Sequence, residues 1–151
     1  MSLNKTAVTA SSYETEQLGA ELGEYILSLD KGDAFIAMYG DLGAGKTAFV
    51  RGLASVIAPN AHVCSPTYNI VNEYRGSKAL LCHFDMYRIE SEDDLYSVGF
   101  YDYENCIIAA EWCEKTPFAL PDEYYKVVIE KLGENERRIS ICEVKNENTC
   151  S

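Results

Sequence analysis

The chain has 151 residues, of which 47% are hydrophobic and 25% are charged, which suits one globular domain. Acidic residues outnumber basic ones by 24 to 13, and the net charge is −11. Because binding to phosphate backbones or anionic lipids needs Lys and Arg, this balance argues against a broad nucleic-acid surface and against a membrane surface. It leaves a protein partner, or a small anion held in one local positive pocket.

Targeting and metal signals are weak in this sequence. The six cysteines form no C-x-x-C pair, which argues against a structural zinc site. The first twenty residues lack the apolar stretch of a signal peptide, and no run approaches the ~20 apolar residues of a membrane span. We therefore expect a cytoplasmic protein with reduced thiols.

The first third of the chain alternates strand and helix signals. Ala7–Thr9 fits a short strand, and Ser11 followed by Glu14 predicts a capping box at a helix start. Ala34–Tyr39 is an apolar run typical of a buried strand. Between them, apolar residues recur at helical spacing. The residues of this helical face are Leu18, Leu22, Tyr25, Ile26 and Leu29.

The middle of the chain continues the mixed pattern. Ala48–Ile57 is rich in helix formers, and Asn69–Tyr74 and Ala79–Phe84 predict two strands joined by a hairpin-type loop. Ser91–Val98 predicts a short helix that Ser91 caps and Gly99 closes. Cys106–Ala110 predicts another buried strand.

The C-terminal region predicts a β-hairpin, with strands at Tyr125–Leu132 and Arg137–Cys142. We expect a single domain over residues 1–142 and a polar tail over residues 143–151. The fold class is α/β. We expect a P-loop NTPase with a mostly parallel central sheet, helices on its faces and the terminal hairpin at one end.

A glycine-rich segment carries the clearest chemistry. Gly40–Thr47 reads G-D-L-G-A-G-K-T and fits G-x-x-x-x-G-K-[ST] at every fixed position. Glycine allows backbone N–H groups to point inward around a phosphate, and the following helix adds partial positive charge. Lys46 supplies a full charge for the phosphates, and the Thr47 hydroxyl suits Mg²⁺. The segment predicts a Mg-ATP site.

Two acids stand at the ends of predicted strands. Asp85 follows Ala79–Phe84, and Glu111 follows Cys106–Ala110. If the strands are parallel, both face the edge that carries the glycine-rich segment. One of them then ligates the metal while the other positions the attacking water, and the residues alone do not decide which.

Other residues near these motifs allow two interpretations each. Thr67, in S-P-T-Y at residues 65–68, belongs either to a switch loop that senses the γ-phosphate or to an ordinary turn. His83 shares a face with Asp85 and is either a core residue or a contact of a site residue. Trp112 is either core or part of the site beside Glu111.

The motifs together resemble the bacterial TsaE (YjeE) family. They are the glycine-rich segment, S-P-T-Y, H-F-D-M-Y-R at residues 83–88 and the E-W pair at residues 111–112. The resemblance covers about residues 9–142. It implies an ATPase needed for threonylcarbamoyladenosine in tRNA that acts through the TsaD–TsaB complex. Because no arginine is clearly placed to stabilise charge during hydrolysis, we expect slow turnover alone and stimulation by these partners. The net charge of −11 predicts no strong tRNA binding by the chain itself.

The same resemblance implies roles for individual residues. Thr47 and Glu111 would ligate Mg²⁺, while Asp85, Lys46 and Thr67 would serve hydrolysis. The residues implied to contact ATP are Ser12, Gly43, Ala44, Gly45, Lys46, Thr47, Ala48, Trp112 and Glu134. Ser11 and Ser12, with the hairpin turn near Glu134, would flank the adenine.

The sequence departs from the family at two positions. Ala48 stands where relatives often have Ser or Thr, which removes one hydroxyl contact to a phosphate, and Cys113 stands where many have Pro. Two alternatives remain open: a small-molecule kinase, and a nucleotide-dependent binding module whose hydrolysis is incidental. A GTPase would need an N-K-x-D string, which the sequence lacks.

Overall fold

The structure is a computed structural model that describes residues 3–40, 45–64 and 70–145. The described strands are β1 Asn4–Thr9, β2 Ala34–Tyr39, β3 Val71–Arg75, β4 Leu80–Asp85, β5 Ile107–Glu111, β6 Glu123–Lys131 and β7 Arg137–Lys145. The α-helices are α1 Ser12–Ser28, α2 Lys46–Ile57 and α3 Glu92–Ser97. Short 3₁₀ turns lie at Phe100–Asp102, Cys113–Lys115 and Pro117–Ala119. The predicted α/β class is confirmed.

The described strands form one sheet in the order β1-β7-β6-β2-β5-β4-β3. The four central strands β6, β2, β5 and β4 are parallel, whereas β1, β7 and β3 pair antiparallel with their neighbours. The prediction of a mostly parallel sheet is therefore wrong, and the sheet is mixed. Two of the antiparallel pairs, β3–β4 and β6–β7, are hairpins, and their connections are too short for the crossover that a parallel pair needs.

Each face of the sheet carries a separate core. On one face, α1 and α2 cover side chains such as Ile36 and Met38 of β2. On the other, α3 and the 3₁₀ turns cover Phe35 and Ala37 of the same strand. This alternation follows from the two-residue period of a strand. A sheet buried on both faces explains why β2 and β5 read as continuous apolar runs.

The helix starts follow the predicted capping chemistry. The Ser11 side chain accepts a hydrogen bond from the Glu14 N–H at 3.1 Å, and the Glu14 carboxylate accepts one from the Ala10 N–H at 2.9 Å. Ser91 likewise caps α3 through the Asp94 N–H. Gly99 ends that helix region at φ +76°, a left-handed conformation that glycine adopts at little cost. Both predicted caps are confirmed.

The helices α1 and α2 approach each other closely. A Cβ built on Gly52 of α2 would lie 1.9 Å from the Glu16 carbonyl oxygen of α1, so only glycine fits there. The N-terminal ends of the two helices also lie together, because Ser12 of α1 lines one small cavity with Gly45 and Ala48. The Lys46 side chain reaches the Gly40 carbonyl, so this point lies beside the end of β2.

The C-terminal strand is longer than the sequence pattern suggests. β7 continues to Lys145, three residues past the predicted boundary at residue 142. The Glu143 N–H donates to the Leu3 carbonyl at 2.8 Å, and the Leu3 N–H donates to the Glu143 side chain. Residues 143–145 also pair with residues 123–125 of β6, and this pairing keeps them in the sheet.

The cysteines are in two states. Cys64, Cys82, Cys106 and Cys113 are free thiols. Cys142 is disulfide-bonded, so the expectation of reduced thiols throughout is wrong at this position. None of the helices within the described ranges is long and apolar enough to cross a membrane.

Candidate functional site

The glycine-rich segment leads from β2 into α2. Gly45 precedes the helix at φ +103°, a backbone conformation that favours glycine, and no side chain caps the helix at this residue. Its carbonyl accepts the first helical bond, from the Phe49 N–H at 3.1 Å. The candidate phosphate-binding residues Gly43 and Ala44 lie outside the described residues.

Lys46 is buried although it carries a charge, with 5% of its surface exposed. Its ammonium lies 3.6 Å from the centroid of the Trp112 ring and donates a hydrogen bond to the Gly40 carbonyl. The Gly40 N–H donates to the Glu114 carboxylate at 3.2 Å. The first glycine of the motif is thus held by both of its backbone polar groups.

Trp112 has an unusual backbone conformation directly after β5. Its φ of +65° places a bulky residue in the left-handed region, which costs about 1–2 kcal/mol. This turn brings the indole ring against Lys46, and the ring also contacts Tyr87 at a centroid distance of 5.1 Å. Strained residues of this kind cluster at functional sites.

The two predicted acids are neighbours. Asp85 ends β4, Glu111 ends β5, and the parallel register sets them directly opposite each other. Glu111 is 4% exposed, whereas Asp85 is half-buried and accepts the Tyr87 N–H at 2.9 Å. Glu111 lies on the strand next to β2, and Thr47 follows Lys46 in the first turn of α2.

This donor set fits a hydrated magnesium ion. Mg²⁺ keeps several waters and takes one or two protein oxygens, and a hydroxyl with strand-end carboxylates provides them. In the described ranges, no group of three or more His, Cys, Asp and Glu side chains forms a cage for a metal. A metal site whose ligands are all protein side chains is therefore not supported in those ranges.

His83 contacts one of these acids. It is fully buried in β4, and its Nε2 shares a hydrogen bond with the Glu111 carboxylate. His83 is therefore both a core residue and a contact of the candidate site residue Glu111.

A small cavity of about 50 Å³ lies beside the start of α2. It brings together Ser12 of α1, Gly45 and Ala48 around the start of α2, and Glu134 of the β6–β7 turn. The structure thus places these candidate nucleotide contacts together although they are far apart in sequence. Thr67 and its S-P-T-Y segment lie outside the described residues.

Sequence reasoning missed Arg137 as part of this site. Its guanidinium donates to the carbonyls of Gly133, Glu134 and Glu136 at 2.9–3.3 Å and so holds the β6–β7 turn. Its Nε lies 3.7 Å from where a Cβ on Gly45 would stand. The sequence does show two adjacent arginines, Arg137 and Arg138, beside a predicted turn. It gives no sign that this turn lies next to Gly45, which is 92 positions earlier in the chain.

Burial also changes the chemistry of the residue after Trp112. Cys113 is 1% exposed, and burial raises the pKa of its thiol to about 12. The unusual residue at this position is therefore a neutral, packed thiol.

A larger cavity of about 700 Å³ opens at the opposite end of the sheet. Its lining includes Asp33, Cys106 and Glu123, which lie at the N-terminal ends of the parallel strands. In open α/β sheets ligands bind at the carboxyl ends of the strands. Size alone therefore does not make this cavity the functional one, and the motifs converge elsewhere.

Comparison with known proteins gives consistent matches. Residues 9–139 match the family described as threonylcarbamoyl adenosine biosynthesis protein TsaE. The tRNA threonylcarbamoyladenosine biosynthesis protein TsaE of Aquifex aeolicus is 36% identical over 146 residues, covering 93% of this chain and 98% of the relative. That of Bacillus subtilis is 35% identical over 111 residues, covering 74% and 70%. The crystal structure of Bacillus subtilis YdiB matches with a TM-score of 0.75 at 27% identity, covering 95% and 88%.

Proposed function

The chain belongs to the TsaE family of tRNA threonylcarbamoyladenosine biosynthesis, and on that premise we propose that it is a P-loop ATPase of this pathway. It binds Mg-ATP at the segment between β2 and α2, acts in the cytoplasm and hydrolyses ATP slowly on its own. The relatives' shared name supports the pathway, and the site geometry supports the nucleotide.

One observation carries the proposal. The buried ammonium of Lys46 lies at the start of a helix, at the same edge of the sheet where Asp85 and Glu111 stand side by side. A buried lysine is costly unless it serves an anion or a partner. A helix N-terminus with a lysine attracts phosphates, and adjacent carboxylates attract the metal that accompanies them.

The residues divide the work. Lys46 exchanges the Gly40 carbonyl and the Trp112 ring for phosphate oxygens, while Thr47 and Glu111 hold the metal. When bound, ATP would supply the reactive phosphoanhydride, and Mg²⁺ would neutralise part of the negative charge of the phosphates. Asp85 orients the attacking water. Such positioning and electrostatic stabilisation carry most of the catalysis in phosphoryl transfer.

The adenine is proposed to bind at the small cavity beside α1. Ser12, Ala48 and Glu134 line it, and Arg137 fixes the turn that closes it. The missing hydroxyl at Ala48 weakens phosphate contact without removing the backbone N–H.

The partners are proposed to be TsaD and TsaB type proteins. A chain of net charge −11 is poorly suited to grip tRNA, so its effect on a tRNA modification is expected to pass through proteins. Hydrolysis then acts on the partner complex and not on the nucleic acid.

The test compares ATP turnover of the chain alone with turnover in the presence of the TsaD–TsaB pair. We expect slow release of phosphate alone and clear stimulation by the pair, with Lys46→Ala inactive in both. Phosphate transfer to a small acceptor would instead identify a kinase. Nucleotide binding with no turnover under either condition would identify a binding module.

A further inference from the structure

The histidine of the H-F-D-M-Y-R string contacts the candidate metal ligand. His83 is 0% exposed and lies two residues before Asp85 on β4, so both side chains share one face of the strand. Its Nε2 is hydrogen-bonded to Oε2 of Glu111 on the neighbouring strand. Its Nδ1 has no hydrogen-bond partner within the described ranges.

This bond constrains a buried acid. A carboxylate that ligates a metal is ionised and only accepts hydrogen bonds, so with the metal bound the hydrogen would lie on Nε2 of His83 and Glu111 would receive it. Charge-assisted bonds of this kind are short and directional. Because the bond engages Oε2, it restrains the rotation of the carboxylate, and Oε1, which this bond does not use, is the oxygen suited to a metal.

We propose that His83 is a positioning residue that orients Glu111 toward the Mg²⁺ of the bound nucleotide. The inference rests on the proposed function, because it assumes that Glu111 ligates the metal. Outer contacts that orient metal ligands are typically worth 10–100-fold in metal affinity. His83 thereby affects the metal without touching it.

Two matched substitutions of His83 distinguish the roles of its two ring nitrogens. The amide nitrogen of Gln stands about where Nε2 of histidine stands, and that of Asn about where Nδ1 stands. The measured quantity is the Mg²⁺ concentration at which half of the Mg²⁺-dependent increase in ADP affinity is reached. We expect His83→Asn to raise this concentration by about 10–100-fold. His83→Gln should restore most of this loss. ADP affinity in EDTA should be unchanged in both variants, as calorimetry would show.

A third variant controls for packing. Phe84 is buried in the same strand but belongs to the core on the other face of the sheet. Phe84→Leu should lower the melting temperature and leave the Mg²⁺ requirement unchanged. A purely structural role for His83 predicts that its variants behave like Phe84→Leu.

A measurement on the wild-type protein does not depend on the variants folding. The chain has two histidines, and His62 is exposed near the far end of α2, which makes it an internal reference. In imidazole ¹H–¹⁵N spectra of untagged protein saturated with ADP, adding Mg²⁺ should shift the His83 signals and leave those of His62 in place.

The outcomes are distinct. Unmoved His83 signals, an unchanged Mg²⁺ requirement in His83→Asn, or equal losses in Asn and Gln variants would each overturn the inference alone. Absence of any Mg²⁺-dependent ADP binding by the wild type would overturn the proposed function and the inference with it.

Discussion

The substitution Gly52→Ala tests how the two large helices set the geometry of the site. The added Cβ would lie 1.9 Å from the Glu16 carbonyl oxygen, and ordinary contact begins near 3.4 Å, so the helices must separate by about 1.5 Å along that line. Overpacking costs about 1–3 kcal/mol, and a clash with backbone atoms takes the upper part of that range, about 2–3 kcal/mol, because a carbonyl group cannot rotate away as a side chain can. The better helix propensity of Ala offsets about 1 kcal/mol. We expect a net loss of about 1–2 kcal/mol.

The matched control is Gly23→Ala on α1. Its Cβ would lie 3.4 Å from the Leu53 carbonyl oxygen, an ordinary contact, so the variant should be as stable as the wild type or slightly more stable. Urea unfolding measures both free energies, and Gly52→Ala should lower the melting temperature by about 2–8 °C. Because α1 carries Ser12 and α2 carries Ala48, Gly52→Ala should also weaken ADP binding. A Gly52→Ala protein as stable as Gly23→Ala would refute this account of the helix contact.

Three further predictions concern the surface and the site. Arg137→Ala should release the β6–β7 turn and weaken ADP binding by about tenfold or more in calorimetry. The control Arg138→Ala removes an exposed side chain whose guanidinium lies 3.9 Å from the Glu130 carboxylate, and it should change ADP affinity little. Equal losses of affinity in the two variants would argue that Arg137 does not anchor the turn. Since burial raises the pKa of Cys113 to about 12, iodoacetamide at pH 8 should label exposed Cys64 and spare Cys113 in mass spectra of the folded protein; early labelling of Cys113 would contradict its burial. Filter binding should detect no tight tRNA complex of the isolated chain, and a tight, salt-sensitive complex would contradict the argument from charge.

Local patterns in the sequence predicted much of the fold. The apolar run Ala34–Tyr39 is β2 residue for residue, and Ser11 and Ser91 cap the helices that were expected. These features depend on neighbours within a few positions, so hydrophobic period and capping chemistry are sufficient to find them.

Long-range pairing was the part that sequence reasoning could not reach. Nothing near β6 indicates that it pairs parallel with β2, or that β1 pairs with β7 at the sheet edge. The contact of His83 with Glu111 spans 28 positions, and the approach of Arg137 to Gly45 spans 92. Such contacts arise from the packing of whole strands and turns, which one sequence does not specify locally.

The most direct test of the account is the affinity of Lys46→Ala for Mg-ATP, measured by calorimetry beside the wild type and the exposed control Lys78→Ala. Hydrogen bonds from a charged group contribute about 1.5–3 kcal/mol, so Lys46→Ala should bind at least about tenfold more weakly, while Lys78→Ala binds as the wild type does. A folded Lys46→Ala protein that binds Mg-ATP with wild-type affinity would contradict the claim that phosphates bind at the start of α2.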